Sequence, residues 1–202
     1  MAFPNSMLVP SGGQILAHIF ENRHTGLARG MFWSITIEFE PISYGGDQYA
    51  CSMTCEWIPW RHRKWLELDG SRLSVENGEE GVESSFYLTE HDIGTHTELA
   101  LRHQSDNLFE TQMDMVVDFH GFHDGDENPR MQVAATVDLP FLGVLVIPDN
   151  LFPKPNTEQE LRDVASDFID LASFGEPEPW RSHGSIFLPE YRFSESEVHK
   201  KA

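Results

Sequence analysis

The sequence predicts a mainly β (α+β) fold, an antiparallel sheet or two-layer β-sandwich with one amphipathic helix over about residues 157–174 packed on it. Three observations predict it. Apolar and polar residues alternate with a period of two through most of the chain, turn-forming Gly, Asn and Asp separate the alternating runs, and a single stretch combines helical spacing with a capping signal.

Residues 1–30 carry Pro4, Pro10, Gly12, Gly13, Gly26 and Gly30 around a short apolar run, Ile15 to Phe20, and read as an irregular lead-in with room for one strand. Alternation then becomes regular. Trp33, Ile35, Ile37 and Phe39 share one face, with Ser34, Thr36, Glu38 and Glu40 on the other. Tyr49, Cys51, Met53, Cys55 and Trp57 repeat the pattern after Gly45-Gly46, so the two runs read as a hairpin. Short strands follow at 65–68, 73–75 and 82–88, with a turn at Asn77-Gly78 and a further strand around Leu99 and Leu101.

The clearest hairpin has Phe109, Met113, Met115, Val117 and Phe119 on one face and Glu110, Gln112, Asp114, Asp118 and His120 on the other. It turns through 121–129 and returns with Met131, Val133, Ala135, Val137 and Leu139 in phase. The apolar run 141–147 reads as a strand buried on both faces. Thr157 and Glu160 form a capping box, and Leu161, Val164, Ala165, Phe168, Leu171 and Ala172 keep helical spacing until Gly175 and Pro177. A last strand is expected near Ile186 to Leu188, before a polar tail over about 192–202.

The 202 residues fit a single domain over 1–202, large enough for a core without staples. Cys51 and Cys55 lie four apart in a strand, roughly 13 Å, too far to bond to each other, and read as small buried hydrophobes. The longest apolar run falls short of a membrane span, and residues 1–5 lack the basic and apolar regions of a signal peptide, so cytoplasm is the expected location.

Charge is the most informative quantity. Thirty-three acidic residues against fourteen basic ones give a formal charge of −19. Such a field repels phosphate backbones and anionic lipid and speeds association with basic proteins, so neither nucleic acid nor membrane is the expected partner. The acidic groups cluster as Glu76, Glu79, Glu80 and Glu83 around one turn, Asp124, Asp126 and Glu127 in another, and Asp163, Asp167 and Asp170 on the helix. Charge runs are ordinarily solvated faces; gathered on one side, these would form an extended negative surface.

Two segments carry candidate chemistry. Residues 118–128 concentrate Asp118, His120, His123, Asp124 and Asp126, a donor set suited to a divalent metal. The HExxH pattern is missing, and Pro129 and Ala135 stand where a calcium loop needs Gly and Glu, so a polar turn is the competing reading. Residues 57–65 interleave Trp57, Trp60 and Trp65 with Arg61, Arg63 and Lys64, which suits either interface anchors or a core-packed loop. His91, His96 and His103, with Glu90, Asp92 and Glu98 nearby, could do acid–base work if the fold converged them. No nucleophile elbow, P-loop or dinucleotide fingerprint occurs.

The expected function is an acidic cytosolic interaction protein, without a cofactor, that binds and neutralises a basic protein partner. Charge and size make it analogous to the immunity proteins that bacteria hold against toxins. The expected interface is Glu76, Glu79, Glu80, Glu83, Asp124, Asp126 and Glu127, with Trp60 and Trp65 as anchors. The alternative is a small-molecule or metal-binding β-protein, a hydrolase among the options, that uses the 118–128 cluster and the cavity of a curled sheet. A structural subunit with large exposed apolar patches is a third option.

Overall fold

The computed structural model describes residues 7–44, 46–120, 130–180 and 184–190, with Tyr44 in backbone only. Ten strands form one sheet: β1 Pro10–Asn22, β2 Leu27–Tyr44, β3 Asp47–Ile58, β4 Arg72–Glu76, β5 Glu83–Tyr87, β6 His91–Ser105, β7 Leu108–Asp118, β8 Arg130–Val146, β9 Glu178–Trp180 and β10 Gly184–Phe187. The single α-helix described, α1, spans Glu158–Ser166.

Seven strands close a ring in the order β1-β2-β3-β5-β6-β7-β8, and β1 then pairs with β8 in parallel from Ile15↔Phe141 to Ile19↔Val146. The mainly β expectation with one helix holds, but the open sheet or two-layer sandwich does not: the chain is a closed barrel. The closing contact joins segments more than a hundred residues apart, and nothing in local alternation encodes such a pairing. Closure also explains β1, a full strand within the expected lead-in.

Two glycines permit close approach on the other sides of the two seam strands, Gly13 of β1 against β2 and Gly143 of β8 against β10. Gly13 and Gly143 both have φ +134, and a Cβ there would lie 2.0 Å from the Thr36 carbonyl oxygen and 2.3 Å from that of Phe187, respectively. Beyond the start of β7, the vacated edge of β8 is taken by β10, which pairs through Val144–Val146 and carries β9 on its far side. Residues 144–146 are accordingly flanked by strands on both edges, and the stretch 141–146 is largely buried on both faces.

The inward phase of each strand fills the barrel. Ile35, Ile37, Met53, Phe86, Phe109, Met113, Met115, Val133 and Leu139 are all fully buried. One end is plugged by aromatic residues, with Trp33 5.5 Å from Phe141 and Phe141 6.3 Å from Phe174. The other holds Phe39, Phe86 and Phe119. Leu16, Leu145 and Ile186 form a small second apolar cluster.

The helix begins as the sequence predicts. Thr157 Oγ1 accepts from Glu160 N–H at 3.2 Å, and Glu160 accepts from Thr157 N–H at 3.2 Å. It stops earlier, at Ser166, with Asp167 as C-cap, and a 3₁₀ turn follows at Leu171–Ser173. Arg63 supplies the physical reason. Its guanidinium donates to the carbonyls of Ser166 (2.7 Å), Asp167 (3.1 Å) and Ile169 (3.4 Å), satisfying acceptors at the helix end, where a cation is favoured. Ala165 within the helix and Ile169 beyond it are both buried in the main apolar core.

Candidate functional site

Strand register decides where the carboxylates go. Side chains in register on one face of an antiparallel pair have Cβ atoms about 4.5–5.5 Å apart, and like charges there repel. Among the described residues three such pairs occur: Glu56↔Glu83 between β3 and β5, Glu98↔Asp114 between β6 and β7, and Glu110↔Asp138 between β7 and β8.

The outer face of β4, β6, β7 and β8 is built from rows that cross the sheet. One runs Ser74–Glu98–Asp114–Ala134, with Glu76–His96–Val116–Gln132 on one side of it and Arg72–Ala100–Gln112–Thr136 on the other; the row Arg102–Glu110–Asp138 lies beyond. Arg102 offsets Glu110 at 2.9 Å, and His96 lies 3.1 Å from Glu76 and 3.7 Å from Glu98. Gln132 donates to both Asp114 oxygens, at 3.0 and 2.9 Å. A cleft of about 410 Å³ lined by Arg72, Ser74, Glu98, Gln112 and Asp114 opens on this face.

The turn carrying Glu76, Glu79, Glu80 and Glu83 adjoins it. Glu79 accepts from Glu76 N–H at 3.2 Å, and Gly78 and Glu80 take left-handed backbone conformations with φ +82 and +52. Those carboxylates are exposed. Asp124, Asp126 and Glu127 lie outside the described residues. The expected aromatic anchors face inward: Trp65 is 5% exposed and packs 6.3 Å from Phe109, while Trp60 is half-buried and accepts the Trp33 indole N–H through its backbone carbonyl at 3.1 Å.

Two of the metal candidates, Asp118 and His120, lie among the described residues. Asp118 pairs with Arg130 across β7 and β8 at 3.4 Å. His120 turns instead to Asp92, whose Oδ1 accepts from the His120 backbone N–H at 2.8 Å and lies 2.9 Å from Nδ1. His123, Asp124 and Asp126 lie outside the described residues, and among the described residues no group of three or more His, Cys, Asp or Glu could hold a metal ion. Of the other candidate histidines, His91 packs on Tyr87, His96 meets Glu76, and His103 packs on Trp65 and Phe109.

The Asp92–His120 pair is a feature that sequence reasoning missed. Asp92 is 1% exposed, and its Oδ2 is buried with no hydrogen-bond partner. A buried carboxylate on Nδ1 fixes the ring's orientation and tautomer, the arrangement used to position imidazoles. The signal was an inverted alternation at the start of β6, with Ile93 57% exposed and Asp92 inside.

Both cysteines are buried and free. Burial pushes the Cys51 thiol up to about 12 and, against a hydrogen bond from Ser84, the Cys55 thiol to about 11. Among the described helices none is long and apolar enough to cross a membrane. No protein-family model, curated protein or solved structure matches the chain.

Proposed function

We propose that the chain is an acidic interaction protein of toxin-immunity type, and that the outer face of β4, β6, β7 and β8, continued by Glu76, Glu79, Glu80 and Glu83, receives a basic protein partner. The observation that carries this reading is the placement of Glu98 against Asp114, Glu110 against Asp138 and Glu56 against Glu83. In-register carboxylates lower stability by roughly 0.2–1 kcal/mol per pair, and a cationic surface laid over them turns that repulsion into binding energy. The inward apolar filling leaves the outer surface as the part of the barrel that meets partners. Lysines and arginines of the partner would approach faster in this field, and a few desolvated ion pairs would then hold it and block its active groove. Charges facing outward and apolar groups inward reverse the pattern of barrels that cross membranes, and the sign of the charge opposes nucleic acid.

The test is affinity capture from the source cell extract, followed by kinetics with the captured protein. The expected result is one stoichiometric basic protein whose association rate falls at least tenfold between 50 and 500 mM NaCl, as steered association does. The variant Glu98→Gln/Glu110→Gln/Asp114→Asn, with unchanged circular dichroism, should lose most of that rate. A partner that binds this variant as fast as the native protein, or no stoichiometric partner at all, overturns the proposal.

A further inference from the structure

Alternation along β3 leads Trp57 toward the interior after Cys51, Met53 and Cys55. It does not go there. Ile35 pairs with Cys55 and Trp33 with Ile58, so two residues, Glu56 and Trp57, stand opposite Ser34 in a β-bulge. Trp57 takes φ +61, a conformation bulky residues rarely adopt and that costs on the order of 1–3 kcal/mol. Ile58 fills the interior place, fully buried, and the indole swings to the outer face. There its centroid lies 5.3 Å from the Phe20 ring and 5.8 Å from the Phe32 ring.

Beside these rings, Leu145, His18 and Phe32 form one row across β8, β1 and β2. Together they border a cavity of about 240 Å³ that Ser34, Glu56, Ile147 and Asn150 complete. An apolar cavity of about 150 Å³ already holds benzene, so this one admits one or two fused rings.

Its polar groups distinguish it from a surface crease. His18 and Asn150 are both half-buried, yet their side chains make no hydrogen bond with any described residue. Burial lowers the His18 pKa, so at neutral pH the imidazole is uncharged and offers an acceptor nitrogen. Glu56 brings a carboxylate to the Ser34 side, 3.4 Å from the Ser34 hydroxyl, with Glu83 next to it in register. Aromatic faces beside a carboxylate favour a cation whose charge is carried on or near a flat ring.

We propose that this cavity is a binding site for a small planar aromatic cation, of one or two fused rings bearing a protonated nitrogen. The ring lies against Trp57, Phe20 and Phe32, an N–H of the ligand donates to His18 or Asn150, and Glu56 holds the positive charge. The site meets the acidic face at the Glu56–Glu83 pair, but its rings and its His18 and Asn150 lie on β1, β2, β3 and the segment after β8, apart from the rows of β4, β6 and β7.

The test titrates tryptamine, indole, indole-3-acetate and n-butylamine into the isotopically labelled full chain at 150 mM NaCl, followed by two-dimensional NMR. Tryptamine should bind saturably and at least tenfold tighter than indole, with shifts centred on Trp57, Phe32 and His18. Indole-3-acetate and n-butylamine should give no saturable shift. Trp57→Gly supplies a residue that accepts the left-handed backbone, so it should fold and lose tryptamine at least thirtyfold. Glu56→Gln, which keeps the rings, should bring tryptamine down to the affinity of indole. The proposal is overturned if tryptamine binds no better than n-butylamine, if its shifts centre on the Glu98–Asp114 and Glu110–Asp138 rows, or if Glu56→Gln binds it within twofold of the native chain.

Discussion

The opposed carboxylates make a prediction whose size follows from the register. Neutralising one member of each pair, in the variant Glu83→Gln/Glu98→Gln/Asp138→Asn, removes three repulsions and should stabilise the barrel. At about 5 Å two unit charges in water repel by ~0.8 kcal/mol. Screening leaves ~0.7 kcal/mol of this at 10 mM salt, where the Debye length is ~30 Å, and ~0.2 kcal/mol at 1 M, where it is ~3 Å. Three pairs therefore sum to roughly 2 kcal/mol at low salt and roughly 0.5 kcal/mol at high salt. Urea denaturation of the native protein and the variant at both salt concentrations measures the two differences directly, because salt effects on unrelated ion pairs cancel between them. The reasoning is refuted if the variant is no more stable than the native chain at 10 mM salt, or if its advantage does not shrink at 1 M. Either result would mean that the carboxylates diverge into solvent, and the proposed partner face would lose its physical basis.

Three further outcomes follow. Gly143→Ala forces a side chain against the Phe187 carbonyl and an unfavourable backbone on β8, so it should cost about 2–5 kcal/mol and accelerate amide exchange at Ser185–Phe187; a loss under about 0.5 kcal/mol would contradict the close approach of β10 to β8. Cys51 and Cys55, with thiols held at about 12 and about 11, should resist Ellman's reagent at pH 8 in the folded chain and react together in denaturant; immediate labelling of either native thiol would refute their burial. Glu21 lies 2.8 Å from Arg29 and 3.2 Å from Arg23. Loss of hydration works to raise its pKa, but Arg29, the Phe152 backbone and Arg23 together hold it below the ordinary value of 4.5. Its contribution is thus complete above that value and fades as pH falls through the lowered one, so Glu21→Gln should be less stable than the native protein at pH 7 and equal to it in strong acid; a gap that persists in acid would place the effect elsewhere.

Comparison of particular elements separates local information from tertiary information. The sequence by itself determined the inward phases of β2, β3, β7 and β8, because a period of two needs only neighbouring residues to be seen: Ile35, Ile37, Cys51, Met53, Met113 and Val133 are buried as alternation requires. It determined the start of α1 too, since Thr157 and Glu160 satisfy each other within one turn. The negative charge was equally legible, as a sum.

Only the tertiary structure decided closure, because the β1–β8 seam joins residues far apart in the chain through backbone groups that every residue possesses. It decided where α1 ends, through Arg63 reaching in from a distant loop. The bulge that reverses Trp57 and the joining of Asp92 to His120 depend on the register between strands, which a single strand's pattern does not contain. The same holds for the acidic face: the number of carboxylates was written in the chain, whereas their opposition across strands arose only when register and closure set Glu98 beside Asp114 and Glu110 beside Asp138.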